Sequence, residues 1–387
     1  MLLGAAFLMA TSAIGPGFLT QTAVFTERLG ASFGFAILVS ILFDLAAQLT
    51  IWRVLVASGE RADVLADRVL PGLGKVLSLL VVAGGLAFNV GNVAGAGLGL
   101  RLLTGIPLDA AVILSASIAV LLFVVKEAGR AMDRFALVLG VVMVVVTWGV
   151  AISAAPPWGE AAVRSIAPVA LDAVAIVTIV GGTVGGYITF AGAHRLLDAG
   201  VRGPSALPLA TRAAGTAIGI ASVMRVALFL AALAVVSRGV ALGTTNPAAA
   251  VFDAATGPLG SRAFGLVMWA AAVTSIVGSA YTSVSFLRRA PAIERQWPRV
   301  VIAFIALSTV IFLMVGRPVR VLVLVGLLNG LVLPLSIGAV LLAARRHALV
   351  PAGTLPRWLT AIAAAVGVAM TALGASAIAT SLREALQ

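Results

Sequence analysis

Ile14-Gly15-Pro16-Gly17-Phe18 interrupts an otherwise apolar run from Leu2 to about Phe25. Pro16 removes a backbone donor, and the glycines on either side weaken the helical ladder. Hydrocarbon offers no water to the freed groups. A break at mid-membrane depth is therefore tolerated only where protein or a wet cavity receives it. Val184-Gly185-Gly186-Tyr187 repeats the device in a second apolar run. One such break is equally well a packing kink. Two of them, in corresponding positions of two halves, point to the binding site of a secondary transporter.

Composition supports a membrane protein. The 387 residues are 61% hydrophobic and 10% charged, with a mean hydropathy of +1.15, far from a soluble domain. There is no cysteine, which excludes disulfides, thiolate metal sites and sulfur redox chemistry. The net charge of +12 does not imply nucleic acid, because the arginines fall in short loops between apolar runs. The first apolar stretch lacks a basic flank, so no cleavable signal is expected.

Runs of membrane length predict eleven helices, at about 2–26, 33–57, 72–103, 107–126, 132–154, 169–194, 209–236, 262–287, 299–315, 319–343 and 358–381. Pro156-Pro157, Gly203-Pro204, Pro247, Gly257-Pro258, Pro298 and Pro351 punctuate the gaps. Loops carrying Arg53, Arg61, Arg68, Lys75, Arg195, Arg202, Arg212, Arg288, Arg345 and Arg346 hold roughly twice as many cations as the opposite ends. This places the N-terminus in the cytoplasm and the C-terminus outside the plasma (inner) membrane. Residues 1–154 and 155–347 then form two five-helix units, each opening with its broken member, and 348–387 supply a peripheral eleventh helix. Five is odd, so the second unit is inverted. The expected fold class is an all-α integral membrane protein with the inverted repeat of the leucine-transporter fold.

The helix 1 stretch GPGFLTQTA (15–23), LFDLAAQL (42–49), NVGNVAGAGLGL (89–100), VGGTVGGYITF (180–190), AAAVTSIVGSAYTS (270–283) and LLNGLVLPL (327–335) together resemble the Nramp family of divalent-metal transporters, in order and over most of the chain. The chemistry departs from that family. Its helix 1 signature is Asp-Pro-Gly-Asn; here Gly15 stands at the Asp position, Pro16 and Gly17 match, and Phe18 stands at the Asn position. Its helix 6 signature, Met-Pro-His, falls on Gly185, Gly186 and Tyr187. The acidic pair that the family uses in proton movement falls on Asn89 and Asn92.

A divalent ion in a low-dielectric site requires compensating negative charge, and neither the carboxylate nor the thioether is present at those positions. What surrounds the breaks is backbone carbonyls and amides with Thr20, Gln21, Thr22, Thr183, Tyr187 and Thr189. Half-helix N-termini favour a carboxylate. The expected cargo is a small zwitterionic or anionic organic solute, or another substrate that is not a transition metal. The family's own divalent ion, Mn²⁺ or Mg²⁺ held by carbonyls and amides, is the alternative. A channel or a non-transporting sensor is a weaker second alternative, because nothing resembles a filter. The hydroxyls have a plainer use as donors to carbonyls one turn back.

Asp44 lies in the middle of an apolar run, and Arg225 is the basic residue well inside another. They are a candidate pair, either structural or coupled to protons. Thr274-Ser275, with Ser279, Tyr281 and Thr282 beyond, falls where proteins of the leucine-transporter fold can hold Na⁺ against carbonyls at the first break. Asn329, ahead of Pro334, resembles the family's helix 10 kink and either faces the cavity or bonds between helices. His194 and His347 lie at cytoplasmic helix ends and are expected to be interfacial. No resident cofactor or metal is expected, only a coupling ion, Na⁺ or H⁺. No nucleophile, base and acid set suggests an enzyme.

Overall fold

The computed structural model describes residues 13–288 and 291–386, with the side chains of 126–137, 139, 381, 382 and 384–386 left aside. The first half of the first expected span, 2–12, lies outside them.

The described residues form helices and turns. Ala13 is helical and Ile14 and Gly15 bend away. α1 (Pro16–Leu29) then starts with proline at its first position, where the missing N–H costs nothing. A 3-10 turn, Gly30–Ser32, leads into α2 (Phe33–Ser58). α3 (Ala62–Val69) is a short connector. α4 (Leu73–Thr104), α5 (Leu108–Val124), α6 (Lys126–Ser153) and the short α7 (Trp158–Ile166) complete the first part. α8 (Ala173–Val184) and α9 (Ile188–Asp198) are the two halves of the second broken helix. α10 (Leu207–Val236), α11 (Pro247–Ser285), the one-turn α12 (Pro291–Arg295), α13 (Trp297–Val315), α14 (Pro318–Ala344) and α15 (Arg357–Leu386) follow.

Each expected span is thus represented by helix among the described residues. By length and composition alone, eight helices among those residues can cross a membrane, or nine if the bent pair Gly140–Ser153 and Trp158–Ile166 counts as one. That measure joins α1 and α2 as Pro16–Ser58 and sets aside the shorter Leu108–Val124. The expected eleven treats all three as separate crossings.

The loop expected around Pro247 and Gly257-Pro258 is instead helical. Asn246 caps α11 by accepting from the Ala249 amide at 3.2 Å, and Pro247 occupies the first turn. Gly257 turns left-handed (φ 71°), so the chain kinks there and Pro258 restarts the helix. Both prolines act as helix starts.

Small residues let the broken helices approach their neighbours. A Cβ at Gly95 of α4 would fall on the Pro16 ring, and one at Gly99 on the backbone of Gly265 and Trp269 in α11. The interior is built from α1, α2, α8, α9, α10 and α14, with Trp52, Phe18, Phe25, Phe33 and Phe190 wholly buried. The outer faces carry bare apolar side chains such as Leu42, Leu79, Val145, Met314 and Val368, the surface a bilayer covers. His194 departs from its expected interfacial place. It is buried, stacks between Phe190 and Phe286, and accepts from the Ala62 amide through Nε2 at 3.3 Å. The neighbouring aromatic rings and the α3 N-terminus draw it in. His347 is exposed.

Candidate substrate site

The two breaks lie against the same neighbours. Gly15 is the extended residue ahead of α1, and its carbonyl accepts the first helical bond, from the Leu19 amide at 3.2 Å. The amides of Gly17 and Phe18 in that first turn therefore have no intrahelical acceptor. At the second break α8 ends at Val184, Gly186 takes a left-handed φ of 55°, and α9 begins at Ile188. Gly186 also lies so close to Asn329 that a Cβ there would fall on Asn329 Oδ1.

Gln21 ties α1 to α14, and Asn329 ties α14 to α4 beside the second break. Gln21 Nε2 donates to the Leu322 carbonyl at 2.7 Å, while its Oε1 has no protein partner. Gly182 and Gly326 lie so close to the Gln21 amide that a Cβ at either would overlap it. Asn329 Nδ2 donates to the carbonyls of Gly84 (3.1 Å) and Val325 (2.9 Å), and its Oδ1 is likewise unpartnered. Asn329 therefore bonds between helices, one of the two uses the sequence left open, and its Oδ1 lies beside Gly186 of the second break.

The wall opposite is a polar stripe on α2. Ser40, Asp44 and Gln48 are spaced one turn apart and are all buried. Thr183 faces Asp44, and Trp52 Nε1 donates to the Thr189 carbonyl at 2.8 Å. The break at Gly185–Tyr187 lies between these two levels. Gln48 lies between them as well, on α2, and both of its amide atoms lack partners. Gln48 was missed in the sequence reading, although its four-residue spacing from Asp44 in an apolar helix was the available signal.

Arg225 reaches this wall from α10. Its Nη1 donates to Ser40 Oγ and to the Ile179 carbonyl, both at 3.3 Å, and its guanidinium covers the Phe18 ring at 4.1 Å. Asp44 and Arg225 are near enough for their charges to interact. Even so, Asp44 Oδ1 and Arg225 Nε and Nη2 have no hydrogen-bond partner. Tyr187 stacks edge-on against Phe88 at 5.3 Å. Its hydroxyl is directed toward Asn92 and Ser279 without making a bond.

That hydroxyl leads to a second cluster. Ser279 Oγ donates to Asn89 Oδ1 at 2.7 Å, Asn89 Nδ2 donates to Ser308 Oγ at 3.1 Å, and Asn92 Nδ2 reaches Ser279 at 3.5 Å. Asn89 is satisfied between α4, α11 and α13, whereas Asn92 Oδ1 is free. The remaining candidates are more local. Thr22 and Thr183 donate to carbonyls one turn back, at 2.7 and 2.8 Å. Thr20 is buried, and the Thr189 hydroxyl is buried and unpartnered. Thr274 Oγ donates within its own helix to Ala270 and Ala271, and Ser275 beside it is buried. Among the described residues there is no group of three or more His, Asp or Glu that can hold a metal ion.

Two broken helices facing one polar interior, in an otherwise apolar bundle, define a multi-pass membrane protein of the leucine-transporter fold. The manganese transporter of Eremococcus coleocola shares this fold, with a TM-score of 0.75 at 17% identity, covering 96% of this chain and 84% of that one. The model of the family described as natural resistance-associated macrophage protein-like matches residues 6–380, and the chain belongs to this Nramp family of membrane transporters. It is 53% identical to the uncharacterized membrane protein YcsG of Bacillus subtilis, over 99% of this chain and 95% of that one. It is 57% identical to an uncharacterized membrane protein of Haemophilus influenzae, over 90% and 88%. The expected small organic cargo gains no support from these likenesses, which fit the divalent-metal alternative better.

Proposed function

We propose that the chain is a secondary active transporter that moves its cargo by alternating access between the two breaks. One observation carries this reading. Gln21 Oε1, Asp44 Oδ1, the Gln48 amide, Arg225 Nε and Nη2, and Asn329 Oδ1 are all buried without protein partners, and they belong to the breaks or to the helices packed on them. Buried polar atoms are costly unless matched, and a cargo with complementary groups would match them. In this reading 1–154 and 155–347 are the inverted repeats and 348–387 is peripheral. The N-terminus is cytoplasmic and the C-terminus outside the plasma membrane.

Two cargo classes are in contention. Family membership and the manganese transporter of the same fold favour a divalent metal ion, Mn²⁺ or Mg²⁺. Its oxygen ligands would be the Asp44 carboxylate and the amide oxygens of Gln21, Gln48 and Asn329. Arg225 favours the other class, an organic anion or zwitterion, because it sets a buried positive charge against Phe18 beside the first break. Flux into proteoliposomes separates them, using Mn²⁺, Mg²⁺, amino acids and small carboxylates as cargo. Uptake confined to the metals supports the first class, and uptake confined to the organic solutes supports the second. Folded protein that moves neither contradicts the transporter reading.

A further inference from the structure

Arginine presents two edges that can each take a carboxylate with two parallel bonds, one formed by Nη1 and Nη2 and one by Nε and Nη2. This chain shows that pairing at its surface. Arg288 Nε and Nη2 donate to Glu294 Oε2 and Oε1, both at 2.7 Å. In Arg225 the same two atoms have no partner, while Nη1 is engaged by Ser40 and Ile179 and the face of the guanidinium rests on Phe18. The group is held by its third nitrogen and its face, with the Nε–Nη2 edge left to something else. Arg225 is 2% exposed, so bulk water does not serve that edge.

The surroundings suit the same partner. Phe18 lies in the first turn of α1, where the amides of Gly17 and Phe18 have no acceptor within the helix and the helix presents its positive end. Asp44 interacts with the Arg225 charge but leaves Oδ1 unbonded, an acceptor for an N–H or O–H on the far side of a small ligand. A bare divalent cation at the first break would instead meet a fixed guanidinium.

We infer that Arg225 is the specificity-determining residue of the substrate site. Its Nε–Nη2 edge, with the α1 N-terminus, binds the carboxylate of a small organic solute, and its charge disfavours an uncomplexed divalent metal. This rests on the transporter reading above and chooses between its cargo classes.

Binding to the purified full-length chain tests it without requiring transport. Thermal shift and calorimetry are run with a panel of small amino and hydroxy carboxylates, their primary amides, and MnCl₂ alone. The expected result is that at least one carboxylate binds, its amide binds at least ten-fold more weakly, and Mn²⁺ does not bind in the micromolar range. Arg225→Gln should lose the carboxylate, and Arg225→Lys, which keeps charge but not the fork, should retain a weakened affinity. Equal binding of acid and amide, no binding by any carboxylate, undiminished binding in Arg225→Gln, or micromolar Mn²⁺ binding would each overturn the inference. If the variants do not fold, the acid-against-amide comparison on the unmodified chain still decides it. Failure here, with both-sided accessibility of the breaks intact, would remove the role of Arg225 and leave the transporter reading standing.

Discussion

The guanidinium carbon of Arg225 lies 4.1 Å from the centroid of the Phe18 ring, linking α10 to the first turn of α1. Phe18 stands where the family resemblance implies a polar Asn, so an apolar ring and a cation take the place of an amide. A cation over a ring face is favourable, by about 2 kcal/mol when desolvated. The first break is thereby anchored from a helix in the other half of the chain.

Trp52 anchors the second break in the same manner. Its indole donates to Thr189 at 2.8 Å, and Gly192 lies against the indole ring so closely that a Cβ would overlap it. Gly192→Ala should destabilise the protein by about 1–3 kcal/mol through overpacking. Trp52→Phe should cost about 1 kcal/mol for the bond. The double variant should cost less than the sum, because the smaller ring makes room. Thermal unfolding in detergent measures all three.

Gly182 and Gln21 should be energetically coupled. A Cβ at 182 would fall on Gln21 Oε1 and displace the amide from the Leu322 carbonyl. Gly182→Ala should impair uptake, and in the Gln21→Ala background its stability cost should shrink by about 0.5 kcal/mol or more. Additive costs would show that the side chain simply swings aside.

Asn329→Leu removes two donor bonds, one across to the Gly84 carbonyl of α4 and one to the Val325 carbonyl one turn back, and should cost about 1–3 kcal/mol. Thermal unfolding reads the cost. Because Gly186 abuts the same amide, cargo affinity should fall together with stability.

Coupling is expected to run through Asp44, a buried carboxylate with an unpartnered oxygen next to Arg225. Uptake should follow an imposed pH gradient, and Asp44→Asn should abolish that response. Uptake that follows Na⁺ instead, and weakens in the Thr274→Ala, Ser275→Ala double variant, would transfer the role to α11.

The breaks were legible because Pro16 and the glycines at 15, 17, 185 and 186 act through backbone chemistry, which is local. Most helix positions were legible for a similar reason, since hydrocarbon enforces uninterrupted apolar runs, although the number of membrane crossings was not. The helix before Gly257 was not legible, since a proline reads as a stop or a start depending on whether a cap such as Asn246 precedes it. Burial of His194 depends on Phe286, and the contact between Arg225 and Phe18 likewise joins residues remote in sequence. Asp44 and Arg225 were recognisable as a candidate pair. That their bonding atoms remain unmatched is a matter of packing, which no spacing reveals.

The central claim, that the breaks form a passage open alternately to each side, is tested by thiol accessibility, since the chain has no native cysteine. Thr20→Cys and Thr189→Cys place a single thiol beside each break. A membrane-impermeant maleimide is then applied from one face at a time, to right-side-out and inverted vesicles. The account predicts labelling of both positions from either face, while control thiols in the outer loops react from one face only. Labelling of the break positions from a single face, or from neither, would contradict it.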